Sequence, residues 1–145
     1  MAASWKEGNN LWMYGGHGFN STGDGALASL WKYQLANGLW SWEGGSKFVN
    51  DAPVYGTLKQ PDVSVSPGSL YSNMTWTDKQ GNLWIYTTRS FWKYQKSLGQ
   101  WTWMGGGGDN NFDTPVYGER GVAAVGNWPG SRVDATVWTE MYSLS

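Results

Sequence analysis

The 145-residue chain carries 12 tryptophans, 21 glycines, no cysteine and a formal charge of −1. Its length suits a single domain over residues 1–145, and the lack of cysteine rules out disulfides, thiolate-held metals and thiol nucleophiles. Lysines and arginines are few and scattered, which argues against a nucleic-acid partner, and no apolar run is long enough to enter a membrane as a helix.

The N-terminal "MAASWKEGNN" has no apolar core of a leader peptide and no targeting signal is visible. The missing cysteines lean toward a reducing compartment without excluding an extracellular one. Trp5 ends what reads as a truncated first strand. "NLWMYGG" (10–16) follows as a second strand closed by a glycine pair. The loop 16–29 then holds His17, Phe19, Asn20 and Asp24. "LWKYQ" (30–34) is a third strand, a turn contains Gly38, and "LWSW" (39–42) is a fourth. Aromatic and β-branched residues with glycine punctuation favour strands of this kind, and no segment carries a helical period.

After a connection containing "DAPVYG" (51–56), the pattern returns. "PGSLYSNMTWTD" (67–78) gives a first strand, "NLWIY" (82–86) a second, "FWKYQ" (91–95) a third and "QWTW" (100–103) a fourth, with Gly99 in the turn. "DTPVYG" (113–118) repeats the connection. "PGSRVDATVWTE" (129–140) repeats the first strand once more. Trp12 thus corresponds to Trp84, Trp31 to Trp92, Trp40 to Trp101 and Trp42 to Trp103. Trp5, Trp76 and Trp138 form a threefold set, and Trp128 has no counterpart.

Each unit is a four-stranded antiparallel meander, and the run Leu83, Trp84, Ile85, Tyr86 predicts a strand covered on both faces. Meanders of this kind are the blades of a β-propeller. The eight tryptophans Trp12, Trp31, Trp40, Trp42, Trp84, Trp92, Trp101 and Trp103 are therefore expected to pack blade on blade. The expected division is blade one over residues 1–66, blade two over 67–128, and an extra first strand over 129–145.

The glycine pair after an aromatic strand (Tyr14-Gly15-Gly16), a loop, then "LWKY" and the tryptophans 40 and 42 resemble the kelch repeat. The second copy departs from it, with Thr87-Thr88 in place of the glycines. The resemblance implies a β-propeller and a relation to the central domain of galactose oxidase. It does not imply that enzyme's copper chemistry, because the chain has no cysteine and one histidine.

Propellers close with four to eight blades, and this chain supplies two. A lone pair of blades leaves two aromatic faces open, a larger apolar surface than a monomer usually shows. The expectation is association with copies of itself. Three chains would give six blades, four would give eight, and failure to close would give an open fibre. The extra strand 129–145 would be donated to a neighbour. The alternative is that the chain is a fragment of a longer propeller.

No catalytic constellation is visible. His17 has no marked nucleophile beside it, and neither a G-x-S-x-G elbow nor an H-E-x-x-H helix occurs. Asp109, Asn111 and Asp113 alternate like a calcium loop, but the turn glycine is missing and Arg120 stands where a closing glutamate belongs. No cofactor and no metal are expected. Asn20 and Asn73 head glycosylation sequons. His17, Phe19, Asn20, Asp24, Asp109, Asn111, Phe112 and Trp128 are the candidate ligand or partner loops. The leading expectation is a non-catalytic, self-assembling scaffold for protein binding. Its rival is a lectin-like module using loop aromatics against a glycan.

Overall fold

The computed structural model describes residues 1–70, 73–107 and 114–138. Among the described residues eleven strands run in chain order: β1 (Ala3–Glu7), β2 (Asn10–Tyr14), β3 (His17–Asn20), β4 (Gly23–Ala26), β5 (Ser29–Gln34), β6 (Leu39–Gly45), β7 (Pro61–Asp62), β8 (Met74–Thr77), β9 (Leu83–Tyr86), β10 (Ser90–Gln95) and β11 (Gln100–Gly106). Among the described residues there is no helix, as the composition predicts. One antiparallel sheet has the order β1-β2-β5-β6, and a second has β7-β11-β10-β9-β8. Neither closes on itself.

The repeat is thus two copies of one meander. Its turns repeat as well. Gly38 at φ 70° and Gly99 at φ 65° take the left-handed position that ends each β5–β6-type turn. Each donates its N–H to the carbonyl of the glutamine four residues before it, at 2.9 Å in both copies. Both copies also bulge at the same point, between Leu30 and Trp31 and between Phe91 and Trp92.

Side chains alternate across a strand, so each meander has two faces. One face of the first sheet carries Trp5, Trp12, Tyr14 and Leu30, all buried. It packs on the face of the second sheet that carries Leu83, Ile85, Trp92, Tyr94 and Trp101. Across this interface Trp12 meets Tyr94 at 6.2 Å between ring centroids, and Tyr14 meets Trp101 edge-on at 5.1 Å. At the β1/β8 margin, the Trp5 indole N–H donates to the Trp84 carbonyl at 3.1 Å and the Thr75 hydroxyl to the Ser4 carbonyl at 2.9 Å. Lys96 and Glu7 join the two sheets by an ion pair at 2.9 Å. Fully burying one tryptophan such as Trp92 removes about 200 Å² from water, worth about 5 kcal/mol before entropy is counted.

Two features differ from the sequence reading. The loop 16–29 is largely a hairpin, β3–β4, with His17 opposite Ala26. The residue pair β7 lies within the segment assigned to blade one but adds to the free edge of β11, so the connection belongs partly to the second sheet. Its Pro61 sits at the sheet margin, where a missing N–H costs nothing. Residues 131–138 of the extra first strand form no strand within this chain, and Trp138 is exposed. A strand segment needs a neighbour to hydrogen-bond to, and the chain has no third copy of β2 to offer it.

The connection between the meanders is anchored to both. Val54 and Ser66 bridge as an antiparallel pair. Val65 and Leu70 join the core, and the Tyr14 hydroxyl donates to the Gly68 carbonyl at 2.9 Å. Burial pushes the Tyr14 hydroxyl well above the usual phenol range, so it stays a neutral donor at any ordinary pH. The connection after the second meander repeats this geometry. Val116 bridges Trp128, and the Tyr86 hydroxyl donates to the Gly130 carbonyl at 2.7 Å.

Candidate functional site

Stacking two sheets leaves two faces outside, and both carry aromatic side chains. The outer face of the first sheet carries Leu11, Met13, Trp31, Tyr33, Trp40 and Trp42. Trp31, Trp40 and Trp42 are 36, 54 and 45% exposed. The Trp31 indole N–H donates to the Ser29 hydroxyl at 3.0 Å, and Tyr33 packs on Trp40 at 5.0 Å. Lys47 holds its ammonium 4.6 Å from the Trp42 ring centre, a cation–π contact.

The outer face of the second sheet is a continuous aromatic stack. Trp76 lies parallel to Trp84 at 5.9 Å, and Phe91 stacks on both, at 5.4 and 5.0 Å. Tyr86 continues it and is covered by Trp128 at 5.6 Å. Asp78 fixes the stack from the β8–β9 turn. Its carboxylate accepts from the Gln80 and Asn82 backbone N–H groups, the Asn82 amide and the Trp84 indole N–H, at 2.9–3.0 Å. Desolvation raises the carboxyl's pKa, but these donors together outweigh it and hold Asp78 below the usual aspartate range.

The two outer faces are of opposite type. Trp31, Trp40 and Trp42 are the counterparts of Trp92, Trp101 and Trp103; Trp92 and Trp101 face the other sheet inside the chain, and Trp103 lies on the same face beside Tyr55. Trp76, Trp84 and Tyr86 are the counterparts of Trp5, Trp12 and Tyr14, which are what those residues face. Tyr86 is covered by Trp128, and otherwise the chain leaves open one half of its own internal interface at each end.

Of the eight repeated tryptophans, Trp12, Trp92 and Trp101 lie in the core between the two sheets, and Trp103 packs against that core beside Tyr55. Trp31, Trp40, Trp42 and Trp84 lie on the outer faces. Trp128 caps the Tyr86 end of the outer stack and lies over Gly105 and Gly106.

Among the loop candidates, His17 Nδ1 is 3.5 Å from an Asp24 carboxylate oxygen, with both side chains largely exposed on the hairpin. Phe19 is exposed beside them. Asn20 accepts from the backbone N–H and hydroxyl of Thr22, at 2.8 and 2.9 Å, and so folds the β3–β4 turn. The amide nitrogens of Asn20 and Asn73, where a glycan would attach, are both buried. Asp109, Asn111 and Phe112 lie outside the described residues. Among the described residues no three acidic or histidine side chains come together as a metal site.

Comparison with known proteins adds no identity: no protein-family model, no curated protein and no solved structure matches the chain. Tyr55, which sequence reading passed over, proves central to the packing. Its ring stacks on Trp92 and meets Trp103 edge-on, both at 5.2 Å. The repetition of its hexapeptide as "DTPVYG" was the available signal.

Proposed function

We propose that the chain is a non-catalytic, kelch-like blade pair that stacks with copies of itself, the outer face of one chain's second meander against the outer face of the next chain's first. One observation carries this reading: each open face is the repeat counterpart of a face already buried inside the chain. The contact is head-to-tail, so it either closes into a propeller-like ring or continues as a fibre. Such a body would serve as a structural or protein-binding scaffold. The exposed hairpin β3–β4, with Phe19 and the His17–Asp24 pair, is carried once per chain and would be displayed at regular intervals around it.

A head-to-tail contact has a distinctive test. Trp40→Asp blocks one face and Trp76→Asp the other, so each variant alone is expected to be a monomer. Mixed together, each still offers one intact face, and the mixture is expected to form dimers and nothing larger. Light scattering reads this directly. Mixtures that stay monomeric, or single variants that still assemble, would overturn the reading.

A further inference from the structure

We infer that Tyr117 is the latch between copies: its ring docks into the cleft between Trp31 and Trp42 of the next chain. This rests on the assembly reading above and deepens it to a residue pair.

The inference starts from Tyr55. The connection after the first meander extends over the second, and Tyr55 stacks on Trp92 at an interplanar angle of 23° while meeting Trp103 at 64°. The bridge beside it sets its position. Val54 and Ser66 exchange N–H···O bonds of 2.8 and 3.0 Å. After the second meander the shared "PVYG" segment forms the same bridge. Val116 and Trp128 exchange bonds of 2.8 and 2.9 Å, which places Tyr117 where Tyr55 stands in the first copy. Among the described residues no meander covers Tyr117, which is 77% exposed.

The matching receptor is open at the other end of the chain. Trp31 and Trp42, the counterparts of Trp92 and Trp103, pair directly across β5 and β6. They line a cleft of about 490 Å³ with Phe19 and Leu27 on its walls. An aromatic ring exposed at one end and a tryptophan pair exposed at the other thus repeat a contact already made inside the molecule. The seats differ in that hairpin β3–β4, with Phe19, borders only the open one, and at the position after the glycine pair. Ser46 stands where Gly107 contacts Tyr55, and it lacks the left-handed φ of 67° found at Gly107. A side chain on Gly107 would run into the Tyr55 ring, so Tyr117 is expected to sit less deeply than Tyr55 does.

The experiment measures the dissociation constant of assembly by light scattering across a dilution series, for the wild type, Tyr117→Ala, Tyr117→Phe, Trp42→Ala and the Tyr117→Ala/Trp42→Ala double variant. Tyr117→Ala is expected to weaken assembly roughly 10- to 100-fold, as loss of a stacked aromatic contact does. Tyr117→Phe should restore most of it, because the contact is made by the ring. The double variant should be little worse than the single ones, as for residues that touch. Urea unfolding at high dilution should leave Tyr117→Ala equal to the wild type, because the exposed ring supports nothing within its own chain. If the wild type assembles and Tyr117→Ala assembles equally well, the latch is overturned while the stacking reading stands. If the wild type never assembles, both fall. A saturable quench of tryptophan fluorescence by a sugar, lost in Trp42→Ala and unaffected by Tyr117→Ala, would assign the cleft to a glycan and overturn the latch.

Discussion

Trp101 and Trp40 occupy the same position in the two repeats and should respond to truncation in opposite ways. Trp101 is 6% exposed, packed between Tyr14 and Tyr94 with both centroids at 5.1 Å. Removing it empties most of about 200 Å² of buried ring and opens a cavity, so Trp101→Ala should cost about 3–5 kcal/mol of folding stability. With a urea slope of about 2 kcal/mol per molar, the unfolding midpoint should fall by about 2 M. Trp40 is 54% exposed and stacks only on Tyr33. Within the isolated chain Trp40→Ala should cost under about 2 kcal/mol, because much of the ring is already in water. In the assembly the exposed half, about 100 Å², becomes buried, worth about 2.5 kcal/mol or roughly 50- to 100-fold in association. Unfolding is followed by fluorescence at sub-micromolar concentration, where copies are apart, and mass is followed at high concentration. Equal destabilisation by the two variants at high dilution would refute the reasoning. So would a Trp40→Ala chain that assembles like the wild type.

Acid should act on the outer stack of the second meander through Asp78. Its folded pKa lies below the unfolded one, so the stability it contributes is present above about pH 5 and lost as pH falls below about 4, through the folded pKa. A change in tryptophan fluorescence in that range, absent in Asp78→Asn, is the expected result. The two indoles at the second-strand position should also differ. Trp84 donates to Asp78, whereas the buried Trp12 N–H has no acceptor, and Glu7, at the Asp78 position, pairs with Lys96 instead. Trp84→Phe should therefore cost about 1 kcal/mol more than Trp12→Phe in hydrogen bonding, measured by urea unfolding.

Much of the fold was legible because local chemistry repeats. Gly38 and Gly99 end equivalent turns, and the paired "WKYQ" and "W-x-W" segments form equivalent hairpins. The hairpin β3–β4 was not legible. "HGFN" and "GDGA" alternate no apolar residues and read as loop. The two-residue strand β7 contains a proline and takes its place from the edge it joins rather than from its own pattern. Burial of individual tryptophans was legible only in part. Trp92 is fully buried and Trp31 is not, although both follow the same motif, because burial depends on whether another meander lies beyond. The same holds for Tyr55 and Tyr117. Hexapeptides that differ only at Ala52 and Thr114 place them alike, and only the tertiary order of the chain decides which ring is covered.

If the two open faces close on each other between chains, the mass in solution must depend on concentration. Absolute mass in solution, by light scattering after size exclusion over a wide concentration range, tests it most directly. The account predicts a mass that rises with concentration from one chain to a closed ring of three or four chains, or to a continuing fibre. A single 16.1 kDa species up to millimolar concentration would contradict it.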